Sequence, residues 1–109
     1  MHDGSRGGRR HHKDQQLCRQ VFDALAYAFA ELDDPMIDGL ALVSVMPAPT
    51  AARVQVTLVP TREDVDADAA LARVRELADE LREEVAAEIN RRRVPELAFR
   101  IARPDELME

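Results

Sequence analysis

Three consecutive arginines, Arg91, Arg92 and Arg93, precede Val94-Pro95 in a chain that is otherwise acidic. Five arginines fall between Arg91 and Arg103, against the single acid Glu96. Guanidinium groups in this density are suited to phosphate, because each presents a fixed fork of donors and keeps its charge at any working pH. A second basic cluster opens the chain, with Arg6, Arg9, Arg10 and Lys13 against Asp3. Arg19 continues it. The chemistry on offer is anion binding. The plain alternative for Arg91–Arg93 is that cations at a helix C-terminus favour the dipole and the free carbonyls, at about 0.3–1 kcal/mol each. Three neighbouring residues point in different directions around a helix, so they cannot all serve one dipole, and a partner surface is favoured.

Other chemistry is not written into the chain. His2, His11 and His12 have no cysteine or acid cluster at ligand spacing, so no metal site is expected. There is no nucleophile elbow, no phosphate-cradling glycine loop and no Cys/His pair on ordered structure. The many acids read as solvated helix faces. No catalytic residue, cofactor or small-molecule substrate is expected, and the chain does not read as an enzyme.

The chain has 109 residues and a formal charge of −6, from 15 Lys+Arg and 21 Asp+Glu. That length is one domain. Net charge alone argues against nucleic acid, but the charges are segregated along the sequence, which leaves basic patches available. With 46% hydrophobic and 33% charged residues the chain is globular rather than disordered. Aromatics are 4% with no Trp, so the core must come from Val, Leu, Ile and Ala. One cysteine permits no internal disulfide, which fits a reducing cytoplasm. Cys18 lies beside an apolar stripe and reads as a small buried hydrophobe. The N-terminal residues lack the apolar run of a secretory signal. No window approaches the ~20 apolar residues of a membrane helix.

The basic groups must be positioned by elements that periodicity reveals. Residues 1–12 lack apolar spacing and read as a flexible basic arm, able to wrap on a partner or merely to solubilise. Leu17, Val21, Leu25, Phe29 and Leu32, with Ala24 and Ala28, predict a helix over about 14–32, capped by Asp14 and stopped by Asp34-Pro35. Leu40 to Met46 predicts a strand ending at Pro47. Arg53 to Val59 alternates, placing Val54, Val56 and Leu58 on one face. The two strands read as an antiparallel hairpin. Asp64 or Asp66 caps a second helix that carries Leu71, Val74, Leu77, Leu81, Val85 and Ile89, runs to about Arg92 and has no Gly or Pro inside it. Arg73, Arg75 and Arg82 on it read mostly as exposed i,i+3 and i,i+4 ion pairs. Leu97, Phe99 and Ile101 predict a third strand, and residues 104–109 an acidic tail. The order is α-β-β-α-β, an α+β fold with a three-stranded sheet and both helices on one face.

Several landmarks in this order resemble ribosome-binding factor A, an assembly factor of the small ribosomal subunit. They are Asp34-Pro35-Met36, Val43-Ser44-Val45-Met46-Pro47, Ala52-Arg53-Val54-Gln55-Val56 and Arg93-Val94-Pro95-Glu96-Leu97-Ala98-Phe99. The resemblance covers about residues 13–103. It implies a KH-like (type II) fold and a non-enzymatic role in rRNA processing, with the small ribosomal subunit and its rRNA as partners. Arg91, Arg92, Arg93, Arg100, Arg9, Arg10, Lys13 and Arg19 are then the expected RNA contacts. The chain also departs from the family. The family bends its second long helix at an Ala-x-Gly kink, whose matching positions here are Leu77-Ala78-Asp79. Either this helix runs straight or RNA is contacted elsewhere. The family's Arg after Asp-Pro is Met36 here, and its acid after Ser-Pro is Ala48. A rival reading keeps the fold without RNA: the open sheet edges could pair with another chain, including a second copy.

Overall fold

The computed structural model describes residues 2–48, 52–89 and 94–103, with side chains described from Gln15 onward. Helix α1 spans His2–Glu31, a single turn α2 spans Pro35–Asp38, and strands β1 and β2 span Leu40–Pro47 and Arg53–Pro60. Helices α3 (Ala67–Glu76) and α4 (Ala78–Ile89) follow, and β3 (Glu96–Ile101) completes the sheet. The order β1-β2-β3 joins β1 and β2 antiparallel and β2 and β3 parallel.

Alternation along β2 sets the core. Val54, Val56 and Leu58 are fully buried. On β3 their register partners are Leu97, Phe99 and Ile101, the alternation expected from the sequence. Helix α1 buries Leu17, Val21, Ala24, Leu25 and Ala28 against this face, and α3 and α4 add Val74, Leu77, Leu81 and Val85. The opposite face of the sheet carries Ser44, Met46, Arg53, Gln55, Thr57, Ala98 and Arg100. On β1 the register slips between Leu42 and Ser44, so Val43 is bulged outward.

Three elements differ from the sequence expectation. Helix α1 begins at His2 rather than near Asp14, so the stretch read as a flexible arm carries helical backbone and Asp14 lies inside the helix. Once a packed helix exists, each added residue gains a hydrogen bond without a new nucleation cost, so helix can propagate past the last core residue. Helix α2 was not foreseen. Asp34 starts it by accepting the Met36 N–H at 3.0 Å, with Pro35 at its first position. The second long helix is two helices, broken at Leu77.

Gly39 joins α2 to β1, and its carbonyl accepts both the backbone N–H (2.8 Å) and the hydroxyl (3.1 Å) of Thr61. A Cβ here would lie 2.7 Å from Val65 Cγ2. The residue is demanded by space, since its φ of −82° is open to any residue. Gly39→Ala is therefore expected to cost about 1–3 kcal/mol in urea unfolding by overpacking. Adding Val65→Ala should recover part of that loss. Equal loss in the single and double variants would contradict the steric origin.

Candidate nucleic-acid interface

The break at Leu77 decides where phosphate can and cannot be held. Leu77 has φ −94° and ψ 5°, a conformation that ordinary residues adopt, and it needs no glycine. Its N–H is shared between the Arg73 and Val74 carbonyls at 3.2 and 3.1 Å, and its own carbonyl accepts the Leu81 N–H at 2.9 Å. Hydrogen bonding thus runs through the break. The side chain of Leu77 is buried in the core. A helix break thus falls beside Ala78 and Asp79, and its chemistry is that of an acidic first turn. Asp79 and Glu80 occupy the first turn of α4. Their carboxylates lie at the positive end of the helix dipole, so a phosphate brought here would meet two negative charges. The uninterrupted helix expected from periodicity is corrected: a stripe of apolar residues reports which side is buried, and not where the axis turns.

The three arginines of this helix pair also do something other than expected. Among the described residues, only their Arg73–Glu76 contact at 3.2 Å is a local i,i+3 pair. Arg73 Nε also donates to Asp34 Oδ2 at 2.7 Å, 39 residues away in sequence. Arg75 donates to the Phe99 carbonyl at 3.4 Å and Arg82 to the Val94 carbonyl at 2.8 Å. These ties fasten α3 to the α1–α2 corner and both helices to the β3 side. Each of these guanidinium groups thus has a partner within the fold. The Arg73 guanidinium, aided by the Met36 and Ile37 N–H groups, holds the Asp34 carboxyl below its ordinary value of 3.8.

The topology brings Arg19 and Arg53 towards one end, whereas Arg62 and Arg103 lie together at the other. Gln15, Cys18, Arg19 and Phe22 of α1 line a groove with Ser44–Pro47, so the early part of α1 lies over the end of β1. Pro47 pairs with Val54 at the start of β2, which pairs with Leu97 at the start of β3. Gln20, Asp23 and Ala24 of α1 also flank Glu88 and Ile89 at the end of α4. Hence Arg19, the first residues of β2 and β3, and the end of α4 share one end of the fold. Arg53, exposed at the start of β2, joins them. Sequence reading placed it on the solvated face but did not single it out, although its position just after the hairpin connection was a usable signal. Arg91, Arg92 and Arg93 lie outside the described residues, and the chain on either side of them, Ile89 and Val94, belongs to this end. Arg9, Arg10 and Lys13 have backbone on α1 and side chains outside the described part. Arg100 is exposed on the outer face of β3, opposite Thr57. Cys18 is buried, as expected. Among the described residues no group of His, Cys, Asp and Glu could hold a metal ion, and no helix is long and apolar enough to cross a membrane.

Comparison with solved structures gives this geometry a relative. The crystal structure of ribosome-binding factor A from Thermus thermophilus matches with a TM-score of 0.69 at 25% identity, over 81% of this chain and 94% of that one. The chain is thus similar to ribosome-binding factor A over most of its length. A homology model of the Thermus thermophilus factor, fitted into a cryo-EM map of its complex with the 30S subunit, matches with a TM-score of 0.62 at 27% identity, over 83% and 91% of the two chains. A solution structure of a Thermotoga maritima protein described as a putative ribosome binding factor A shares the fold, with a TM-score of 0.60 at 12% identity over 84% and 85%. No family model and no curated protein matches the sequence. The fold is α+β and KH-like, as expected.

Two outcomes follow from the corner and its tie. Leu77→Gly should destabilise the domain by about 3 kcal/mol, because it removes a buried side chain and frees the chain at a position needing no special backbone. Leu77→Met should cost less than about 1.5 kcal/mol. Urea midpoints of the two variants test this, and a neutral Leu77→Gly would show that the corner wants glycine. The Asp34 pair has a defined pH signature. Its folded-state pKa is depressed, so the unfolded chain binds the proton more readily, and the stabilisation is present at neutral pH. It is lost as pH falls below 3.8 through the folded value. Arg73→Met should accordingly lower the unfolding midpoint at neutral pH, with the gap from the parent narrowing in acid.

Proposed function

We propose that this protein is a non-enzymatic ribosome-biogenesis factor that binds the small ribosomal subunit and its rRNA during maturation. The observation that carries the reading is the likeness to ribosome-binding factor A over more than four-fifths of the chain, including a relative fitted on the 30S subunit. Contact would run through the basic end of the fold. Arg19 and Arg53 mark it, Arg91, Arg92, Arg93, Arg9, Arg10 and Lys13 extend it, and Arg100 adds the outer sheet face. The acidic corner at Asp79 and Glu80 would face away from the phosphate backbone. Binding one rRNA conformation more tightly than others shifts its population, which is work that needs no chemical step. Such a role, including any part in rRNA processing, belongs in the cytoplasm.

Co-sedimentation with small subunits at graded salt tests the reading. Each phosphate contact adds roughly 0.7–0.9 to the slope of log affinity against log salt. Reversing Arg91–Arg93 to glutamate should abolish retention, and neutralising Arg53 should weaken it and lower the slope by about 1. Retention that is insensitive to salt and to these changes would favour the protein-interaction reading, which the acidic first turn of α4 supports.

A further inference from the structure

Helices α1 and α4 pack antiparallel, and the solvent side of their seam is a groove. Its two lobes, about 470 and 420 Å3, meet at Tyr27. The floor is apolar, formed by Ala24 and Ala28 of α1 with Leu77 and Leu81 of the helix pair. Tyr27 stands out of it, 58% exposed, the most exposed aromatic residue among the large hydrophobics of the described surface. The core does not need a tyrosine there. It is also the chain's single tyrosine.

The rims carry charge of one sign. Asp23, Tyr27 and Glu31 recur every fourth residue along α1, and Glu80, Glu84 and Glu88 do so along α4. Asp23 and Glu88 share one lobe, while Glu31, Glu80 and Glu84 share the other. No Lys, Arg or His lines either lobe among the described residues. The neighbouring Glu31 carboxylate, with desolvation, Glu88 and Glu84 after it, raises the Tyr27 pKa above its ordinary 10.0. Like charges facing each other across a helix seam oppose packing. An occupant bearing the opposite charge would relieve that repulsion.

The spacing narrows the occupant. Four helical residues advance about 6 Å, and two residues of an extended chain advance about 6.6 Å. We propose that the α1–α4 groove docks an extended polypeptide segment of a partner protein with Arg or Lys at alternate positions. Its cations would meet the two rows of carboxylates, and one would stack on the Tyr27 ring, where a guanidinium is attracted by the π face. The Asp23–Glu88 lobe adjoins the end assigned to RNA and the Glu31–Glu80–Glu84 lobe lies away from it; the inference rests on the two rows of carboxylates and not on that assignment.

The single tyrosine supplies the readout. A seven-residue peptide alternating Arg and Ser, titrated into the full chain at low salt, should change Tyr27 fluorescence saturably. It should bind several-fold more tightly than a peptide with the same four arginines in one block followed by three serines. Glu84→Gln with Glu88→Gln should weaken binding roughly fivefold, since each exposed pair contributes modestly. Tyr27→Ala, followed by calorimetry, should weaken it by a similar factor. Both sets of changes are on exposed positions, and the glutamine pair should raise the melting temperature by removing repulsion. Glu63→Gln, on the turn before α3, should leave binding unchanged. Equal affinity for the alternating and blocked peptides, or indifference to the groove variants, would overturn the proposal by reducing it to attraction by net charge. So would saturable binding of a uridine oligomer alone that Tyr27→Ala weakens, which would make the groove a nucleic-acid site.

Discussion

One apolar stripe, from Leu71 to Ile89, has to cover two surfaces that do not lie in line, and the corner at Leu77 is how it does so. Helix α3 is ten residues and α4 twelve. A straight helix of their combined length would run about 34 Å. Strand β3, at six residues, reaches roughly 20 Å. A straight rod would be longer than the strand it covers. By turning at Leu77 the chain lays α3 on β3 and α2, then swings α4 along α1. Burial of the Leu77 side chain fixes the corner in the core. Because the turn needs no positive φ, packing can specify it without glycine.

That corner also distributes charge. With α4 antiparallel to α1, the end of α4 and the start of β3 come to the end of the fold that holds Arg19 and Arg53. The carboxylates of both helices face one another along the seam. Arg19 and Arg53 share that end with Asp23, Glu88 and Glu96, and the acidic seam follows from the same packing. The arginines in between are used internally. Arg73, Arg75 and Arg82 reach across to Asp34, Phe99 and Val94, satisfying a carboxylate and two carbonyls where α2 and the β3 side approach the helices. A guanidinium suits this because its several donors can serve partners on separate elements at once.

Residue spacing alone made much of this legible. Period-two alternation in β2 and β3 names Val54, Val56, Leu58 and Phe99 as core, since only one side of a one-sided sheet is buried. Period 3.6 names Val21, Leu25, Val74, Leu81 and Val85 for the same reason. Asp34-Pro35 marks a boundary because proline restricts the residue before it. Other features were not legible. The bend at Leu77 leaves no local mark, since φ −94° and ψ 5° are open to leucine. The reach of α1 back to His2 runs against a Gly-rich composition. The Asp34–Arg73 tie joins residues 39 apart, a separation at which spacing says nothing.

The sequence by itself determined the element order, the buried side of each element and the segregation of basic from acidic segments, because each is a property of residues near one another in the chain. Tertiary structure alone decided which segments meet. It set β3 parallel to β2, turned one long stripe into two helices, and placed Asp23 with Glu88 and Glu31 with Glu80 across a groove around Tyr27. The physical reason is that side-chain period fixes which face of an element is apolar, whereas the direction in which two apolar faces close on each other is set only when the whole core packs.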